Sequence, residues 1–461
     1  MDASESQEAR MFLELTRIPR PSGHMGRIND FLEGFAAEHG LEHEKDPAGN
    51  IVIRRRGNGR TIVLQGHQDI VPNSSGEFDF TKHAPSPVIE DGWVRAEGTT
   101  LGADDGGGMA LMLCALLAPE LEGASLECLF TTDEEIGLVG ASRMAPGWLE
   151  GRMMVNIDSE DADEITVGSA GSTDIRALFD IRRSHAEGTL HKVRASGLLG
   201  GHSAGMIGSG RANAIVLMSK YLRSIPGVRI ASISAGKASN VIPESCEASF
   251  LCEGDPEPEL QDFAASVRRA HREDDPGIAF EISSERFEGD AWTEEFTSDV
   301  LDAILSCPNG PLAWDRFGVR TSSNIGIVAE SEGRLSVTVK PRSSDMDELD
   351  GLIDRIESTF RSRGAEASHS ETFPPWLEPD DSELVRTAVE IYRGVFGKEP
   401  RVVATHGGLE SSTIKDKHPG MQAISIGPTV LGAHTPSERM DLSSLSAMRR
   451  YLFELVLALS S

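Results

Sequence analysis

The sequence predicts an α/β fold in which one sheet domain is split by a long insertion. Short apolar runs typical of strands alternate with segments whose apolar residues have helical spacing. This rhythm changes near Gly168–Thr173 and again near Phe373–Pro375. We expect a mixed sheet flanked by helices over residues 1–170 and 373–461, interrupted by an α+β domain over residues 171–372.

The individual elements follow from apolar spacing and from the positions of glycine and proline. The pattern predicts helices over Glu8–Leu15, Ile28–Glu38, Gly107–Leu117, Arg211–Leu222, Asp347–Phe360 and Asp381–Phe396. Buried or half-buried strands are predicted over Ile51–Arg54, Thr61–Leu64, Leu126–Thr131 and Met153–Ile157, and in the segments VVATHGG and AISIGPT.

The composition excludes several classes of function. The chain has 44 Lys and Arg against 73 Asp and Glu, a formal net charge of −29, which repels the phosphates of nucleic acids. The five cysteines are scattered without a CxxC pair, which indicates neither a zinc finger nor a disulfide framework and favours a reducing compartment. The N-terminal stretch has no signal-peptide core, and no apolar run is long enough for a membrane span. We therefore expect a cytoplasmic protein.

Candidate ligands for a pair of divalent metal ions stand in five polar motifs, four of which follow apolar runs. They are His67 in GHQD, Asp104 in GADDGGG, Glu135 in TTDEEIG, Asp158 in NIDSED and His434 in GAHTPSE. Open α/β sheets bind ligands at the carboxyl ends of their strands, where these residues are expected. Two imidazoles and three carboxylates suit zinc or a similar ion, and one carboxylate can bridge two ions.

Two further acidic residues fit roles beside such a site. Asp69 follows His67 at the spacing that points both side chains the same way, so it can orient the imidazole. Glu134 adjoins Glu135, and one of two adjacent carboxylates can bind metal while the other takes a proton from water. Each motif alone is also compatible with a solvated turn, so the prediction depends on their conjunction.

Two glycine-rich motifs each resemble a well-known functional loop but depart from it. LGADDGGG lacks the GK[ST] ending of a phosphate-binding loop, so its glycines are expected to permit tight turns beside a ligand. Gly201–Gly205 matches the G-x-S-x-G motif of serine hydrolases, which needs a helix directly after the serine. Gly208 and Gly210 are expected to delay that helix, which argues against a serine nucleophile and leaves His202 without a role.

Taken together, the motifs resemble the aminoacylhistidine dipeptidases, also called Xaa-His or cytosolic non-specific dipeptidases. These form a branch of the di-zinc aminoacylase/carboxypeptidase superfamily. The likeness extends over nearly the whole chain. It is carried by IPRPSGH, GHQDIVP, GTTLGADDGGG, TTDEEIGLVGA, NIDSED, GLLGGHSAG, GRANAI, SNVIPE, PNG, THGGLE and IGPTVLGAHTPSERM.

The resemblance implies a role for each candidate residue. Two divalent ions, Zn²⁺ with Mn²⁺ or Co²⁺ as alternatives, would be bound with Asp104 as the bridge. The implied ligands are His67, Asp104, Glu135, Asp158 and His434. Glu134 would be the general base, Asp69 would orient the site and His202 would polarise the scissile carbonyl. The substrate carboxylate would be held by Asn240, Arg342 and the backbone near Gly408. Asp105 stands where the family has Asn, which adds a negative charge near the metals.

The implied activity is hydrolysis of unblocked dipeptides, Xaa-His and others, by a metal-activated water. The inserted domain would be a lid through which two chains form a homodimer. A tripeptidase, aminoacylase or carboxypeptidase would share the metal ligands, so these remain alternatives. A non-catalytic binding scaffold is a further alternative, although it would not need both Asp69 and Glu134.

Overall fold

The structure is a computed structural model that describes residues 5–461. The first four residues, with which the predicted segment 1–170 begins, lie outside the described part. The chain forms two compact units. The first comprises the described chain up to Ser169 together with Trp376–Ala404 and Leu409–Ser461. The second comprises Ala170–Pro375 and Thr405–Gly408.

The elements within residues 5–461 have the following bounds. The helices are α1 (Gln7–Thr16), α2 (Gly26–Glu38), α3 (Ala103–Leu117), α4 (Val139–Arg143), α5 (Ser203–Met206), α6 (Ala214–Arg223), α7 (Glu257–Ala270), α8 (Glu294–Ser306), α9 (Met346–Arg361), α10 (Glu383–Phe396), α11 (Glu410–Lys417) and α12 (Leu442–Leu459). The strands are β1 (Glu42–Lys45), β2 (Ile51–Arg55), β3 (Thr61–His67), β4 (Pro87–Glu90), β5 (Trp93–Ala96), β6 (Ser125–Thr131), β7 (Met153–Asn156), β8 (Glu164–Ser169), β9 (Gly171–Ser172), β10 (Ile175–Asp180), β11 (Arg183–Ser196), β12 (Gly201–His202), β13 (Arg229–Ala235), β14 (Val241–Ile242), β15 (Cys246–Leu251), β16 (Ala279–Trp292), β17 (Gly310–Asp315), β18 (Gly318–Ser331), β19 (Arg334–Ser343), β20 (Glu366–His369), β21 (Trp376–Leu377), β22 (Arg401–Thr405), β23 (Gln422–Ser425), β24 (Val430–Leu431) and β25 (Arg439–Asp441).

The main sheet of the first unit is mixed, as the sequence predicts. Its order is β1-β2-β6-β3-β7-β23-β8-β21, with β22 also paired to β8. The central strands β6, β3, β7 and β23 run parallel, and the strands on either side pair antiparallel. A smaller sheet has the order β24-β25-β5-β4. The carboxyl ends of the parallel strands therefore meet at one edge, where an α/β sheet places its ligand site.

Close packing explains the glycine run at the start of α3. A Cβ at Gly108 would lie 2.3 Å from both the Asp105 carboxylate and the Ile157 carbonyl oxygen. Most of the side chains of α3 are buried, because the helix lies between the sheet and the terminal helices α1 and α12. The glycines thus allow the start of α3 to lie against the loop that follows β7.

The second unit contains two copies of a βαββαβ arrangement, a known supersecondary motif. One copy is β11-α6-β13-β15-α7-β16, with sheet order β16-β11-β15-β13. The other is β10-α8-β18-β19-α9-β20, with sheet order β18-β19-β10-β20. Within each copy the paired strands are antiparallel. The first copy is inserted into the second between β10 and α8, which accounts for the length of the insertion.

The two copies are joined edge to edge into one continuous sheet. The joint is the antiparallel pair β13 and β18, at Ala235 and Val328. Helix side chains and the sheet residues of both copies form one buried core, including Tyr221, Phe250 and Phe360. Burial of these and the other apolar side chains of the core stabilises the unit.

The predicted helices and strands are confirmed, with ends that shift by a few residues. All five cysteines lie in the described part of the chain and are free thiols there. Among residues 5–461, no helix has both the length and the apolar character needed to cross a membrane.

The joint between the two copies should be sensitive to a single methyl group. Gly236 has a φ of +78°, and a Cβ there would lie 1.8 Å from the Gly326 carbonyl oxygen. Gly333 has a similar φ of +77° but open space around it. Gly333→Ala should cost about 1–2 kcal/mol of unfolding free energy from backbone strain. Gly236→Ala should cost at least about 1 kcal/mol more, because the strand must also move. Chemical denaturation measures both, and equal losses would contradict this view of the joint.

Candidate functional site

Adjacent parallel strands of the first unit carry three of the candidate ligands at their carboxyl ends. His67 is the last residue of β3, Glu135 follows β6 and Asp158 follows β7. Asp104 lies at the start of α3, where its own backbone angles are not helical, and His434 follows β24. Each candidate ligand therefore adjoins a strand or helix of the first unit.

The Asp104 carboxylate lies between two imidazoles. Its Oδ1 is 2.8 Å from His67 Nε2, and its Oδ2 is 3.0 Å from His434 Nε2. Each oxygen of one carboxylate thus faces a different histidine, which is the arrangement needed of a carboxylate that bridges two cations.

A further carboxylate accompanies each histidine. Asp158 Oδ1 is 3.3 Å from His67 Nε2, and Glu135 Oε1 is 3.0 Å from His434 Nε2. Ligand atoms of His67, Asp104 and Glu135 all lie within 4.8 Å of one another. The donors therefore divide into two sets that share Asp104.

The chemistry of these donors fits divalent metal ions. Asp104, Glu135 and Asp158 each add a negative charge in a site where burial makes unpaired charge costly. Hydrogen bonds with Asp104 and Glu135 raise the pKa of His434 to about 11. Burial lowers the pKa of His67, but the charge of Asp158 and the hydrogen bond with Asp104 outweigh it and raise the pKa well above its usual value. The site thus strongly attracts positive charge.

Asp69 connects the histidine to the acidic pair. Its carboxylate accepts hydrogen bonds from the backbone N–H groups of Glu134 (3.0 Å) and Glu135 (3.2 Å), and from the Ser22 hydroxyl (2.8 Å). His67 Nδ1 lies 3.1 Å from the Asp69 carbonyl oxygen and 3.5 Å from Asp69 Oδ1. A proton on Nδ1 would leave the Nε2 lone pair of His67 free for a ligand. Asp69 therefore holds both His67 and the turn that carries Glu134.

Glu134 and Asp105 are two further acidic groups of the same site. Burial raises the pKa of Glu134 well above its usual value, and the negative charge of Asp158 adds to the shift. Asp105 is buried and accepts hydrogen bonds from the backbone N–H groups of His67 (3.2 Å) and Gly108 (3.0 Å). The Asp104–Asp105 peptide bond is cis. The extra carboxylate at position 105 is thus satisfied by backbone donors.

Glu410 is a buried acid that the sequence did not reveal. Its Oε2 accepts hydrogen bonds from Gln65 (2.7 Å) and Thr131 (2.5 Å), which stand on β3 and β6. Burial raises the pKa of Glu410 to about 8. Glu410 belongs to the THGGLE motif, which was the only indication of a role. Nothing in the sequence indicated that its carboxylate is buried against side chains of β3 and β6.

Arg20 and Glu438 are two further buried charges without a predicted role. Both occur in motifs that carry the family resemblance, IPRPSGH and GAHTPSERM. They contact the backbone of the loops that carry ligands rather than the ligand side chains. Sequence patterns identify side-chain chemistry more readily than such backbone contacts.

The second unit holds a separate cationic cluster, Lys340 and Arg342 on β19. Arg342 is only 4% exposed, and its Nη1 donates a hydrogen bond of 3.4 Å to the His406 carbonyl oxygen. Burial lowers the pKa of Arg342 to about 10. Its Nε has no hydrogen-bond partner among the described residues. A buried guanidinium with so few acceptors is suited to binding an anion.

His202 and Asn240 lie side by side in the same unit. Asn240 Nδ2 is 3.3 Å from His202 Nε2. Burial lowers the pKa of His202, and the charges of Arg342 and Lys340 lower it further. Gly408 leaves open space on its side-chain face. His202, Asn240 and Arg342 thus lie near one another in this unit. They are three of the predicted catalytic and substrate-binding residues.

One expectation about the G-x-S-x-G motif is wrong. A short helix, α5, begins directly at Ser203 and is not delayed to the region beyond Gly210. The helix can form because the His202 ring accepts a hydrogen bond from the Ala204 N–H and caps its first turn. Ser203 is nevertheless buried, and its hydroxyl has no hydrogen-bond partner within residues 5–461. A serine nucleophile needs a base in contact with it, so this geometry still argues against one.

Comparison with protein families gives one match over most of the chain. Residues 63–458 match Peptidase family M20/M25/M40. The chain is also 30% identical over 465 aligned residues to the cytosol non-specific dipeptidase of Escherichia coli (strain K12). That alignment covers 97% of this chain and 96% of the relative.

Solved structures show the same likeness. The aminoacylhistidine dipeptidase of Vibrio alginolyticus superposes with a TM-score of 0.88 at 28% identity, covering 99% of this chain and 98% of the other. A tripeptidase from Staphylococcus aureus superposes with a TM-score of 0.58 at 18% identity, covering 98% of both chains. The tripeptidase shares the fold, whereas the Vibrio structure is similar in both fold and sequence.

Proposed function

We propose a substrate class for this peptide hydrolase, which belongs to Peptidase family M20/M25/M40. The enzyme cleaves the peptide bond of unblocked dipeptides, Xaa-His and others. The E. coli and Vibrio relatives are named as dipeptidases, and both cover nearly the whole chain. The observation that carries the proposal is the Asp104 carboxylate, which lies 2.8 and 3.0 Å from two histidines.

The donor set supports two divalent ions. His67 and Asp158 would bind one ion, His434 and Glu135 the other, and Asp104 both. We propose Zn²⁺, with Mn²⁺ or Co²⁺ as alternatives, because imidazole and carboxylate ligands suit each of them. When bound, such ions lower the pKa of a water and polarise the carbonyl of the scissile bond.

The residues of the chain supply the proton transfers. Glu134 takes a proton from the attacking water and passes it to the leaving amine. Asp69 keeps the Glu134–Glu135 turn in place through its carboxylate and the His67 ring in place through its carbonyl oxygen. A scaffold that only bound metal would need no such base.

The cationic cluster of the second unit supports recognition of a free carboxylate. Arg342 would pair with the substrate carboxylate, with Asn240 and the backbone near Gly408 as further donors. His202, whose lowered pKa keeps it neutral near pH 7, would donate a hydrogen bond to the developing oxyanion.

We propose a cytoplasmic location. The E. coli relative is named as a cytosol enzyme. The five free thiols of this chain suit a reducing compartment. The formal net charge of −29 disfavours nucleic-acid partners.

Substrate selection tests the carboxylate assignment. The protein should hydrolyse dipeptides after loading with Zn²⁺ and lose this activity on chelation. N-blocked dipeptides, tripeptides and dipeptide amides should be poor substrates. Arg342→Lys should raise KM for dipeptides roughly 10-fold or more, because Lys cannot form a bidentate pair. Arg320→Lys, which alters a partly exposed pair with Glu348, is the control and should leave KM unchanged.

Two outcomes would overturn this assignment. Efficient cleavage of N-blocked substrates or of tripeptides would identify an aminoacylase, carboxypeptidase or tripeptidase instead. An unchanged KM in Arg342→Lys would remove Arg342 from the substrate site.

The adjacent glutamates should separate catalysis from metal binding. Glu134→Gln should keep the metal content of the wild type and lower kcat by about 10²–10⁴-fold, the usual effect of losing a general base. Glu135→Gln should also lower metal occupancy, because it removes a ligand. Elemental analysis and steady-state kinetics measure both effects. Equal metal loss in the two variants would refute this division of roles.

We also propose that residues 171–372 act as a lid and dimerisation domain. Leu312 and Trp314 both stand on β17 and are 43% and 57% exposed. Large exposed apolar residues are typical of interfaces, and a symmetric dimer would bury the patch twice.

Light scattering tests this dimer. The wild type should have twice the 49.7 kDa chain mass, and Trp314→Asp should have the mass of one chain. Leu377→Asp, at an exposed apolar position of the first unit, is the control and should stay dimeric. A wild-type protein with the mass of one chain would exclude the dimer.

A further inference from the structure

Arg20 is a buried cation that binds backbone carbonyls. Its side chain is 1% exposed. Nη1 donates hydrogen bonds to the carbonyl oxygens of Gln68 (2.7 Å) and Asp69 (3.2 Å), and Nη2 donates one to that of Gly102 (2.6 Å). These carbonyls belong to the loop after His67 and to the loop before Asp104. Arg20 thus ties two ligand-bearing loops together.

Glu438 is a buried anion that binds backbone N–H groups. Its side chain is 2% exposed. Oε2 accepts hydrogen bonds from the N–H groups of Leu101 (2.7 Å) and Gly102 (3.1 Å). Oε1 accepts them from Ala103 (2.7 Å) and Asp104 (3.3 Å). Glu438 stands in the same motif as His434, so it ties the His434 loop to the Asp104 loop.

The two charges meet at one residue. Gly102 gives its carbonyl to Arg20 and its N–H to Glu438. It has a φ of +76°, and a Cβ there would lie 2.7 Å from a methyl carbon of Ile70, so no side chain fits. The peptide groups just before Asp104 are therefore held from both sides.

We propose that Arg20 and Glu438 form a positioning clamp, defined by these two residues and Gly102, that fixes Asp104 in the orientation needed to bridge two metal ions. This inference rests on the proposed function. The hydrogen bonds of Arg20 and Glu438 given above all go to backbone groups and not to the side chains of His67, Asp104 or His434. Both act through the backbone of the segments that carry His67, Asp104 and His434.

The hydrogen-bonding capacity of Glu438 explains why an ionised carboxylate is needed. An ionised carboxylate offers about four lone-pair sites, and Glu438 meets four N–H donors. An amide would replace one acceptor oxygen with an NH₂ group that faces N–H donors. Glu438→Gln is therefore nearly isosteric yet should disrupt the clamp.

A matched pair of buried charges exists elsewhere in the first unit. Glu127 accepts hydrogen bonds from the N–H groups of Glu150 and Gly151, both 2.8 Å, and pairs with Arg54 at 2.9 Å. This pair lies on β2 and β6 and holds none of the ligand loops. Glu127→Gln and Arg54→Lys thus control for the general cost of disturbing a buried charge.

The experiment compares metal affinity with stability. Metal-free wild type, Glu438→Gln, Arg20→Lys and the two controls are titrated with Zn²⁺ in competition with a chromophoric chelator. Their unfolding is followed with and without Zn²⁺. The clamp variants should bind Zn²⁺ about 10–100-fold more weakly, the usual effect of losing groups that orient ligands. They should also lose much of the metal-induced rise in unfolding midpoint, whereas the controls should keep both.

Each outcome decides a different question. Wild-type affinity in Glu438→Gln, or an equal loss in Glu438→Gln and Glu127→Gln, would overturn the clamp. If Glu438→Gln does not fold, Glu438→Asp takes its place, because it keeps the charge but shortens the reach, and it should show the same loss of affinity. A wild-type protein that binds no Zn²⁺ or cleaves no dipeptide would instead overturn the proposed function.

Discussion

The Asp104 carboxylate, shared between the rings of His67 and His434, is the contact on which the first unit's site depends. It joins the end of β3, the start of α3 and the loop after β24 at one point. Asp158 and Glu135 add negative charge on either side. Carboxylates this close and this buried repel one another, so the arrangement favours bound cations. The parallel strands bring the candidate ligands together, and the Asp69 carboxylate binds the backbone N–H groups of the turn that carries Glu134 and Glu135.

The second unit buries a positive charge, whereas the first unit gathers negative ones. Its doubled βαββαβ arrangement gives a continuous sheet with one core, which can hold Arg342 in a buried position at the end of β19. A buried guanidinium needs acceptors, and the structure supplies few. The first unit therefore concentrates negative charge while the second isolates a positive one. A buried guanidinium with so few acceptors is suited to binding an anion.

The sequence could predict the motifs of the candidate ligands and the sheet that carries them. His67, Asp104, Glu135, Asp158 and His434 are side chains with recognisable chemistry beside recognisable strands. Arg20 and Glu438 could not be assigned, because they act on backbone groups whose positions exist only in the folded chain. The helix at Ser203 was missed because its cap is a histidine ring, which is not a usual capping group. The doubled arrangement was also missed, since the two copies share topology without a visible sequence repeat.

Anomalous X-ray diffraction from crystals grown with Zn²⁺ tests the central claim most directly. Two zinc peaks roughly 3.5–4 Å apart are expected, the usual separation in two-metal hydrolase sites. One oxygen of Asp104 should lie against each peak, with His67 and Asp158 at the first and His434 and Glu135 at the second. A single peak, or two peaks that do not share Asp104, would contradict the two-metal assignment.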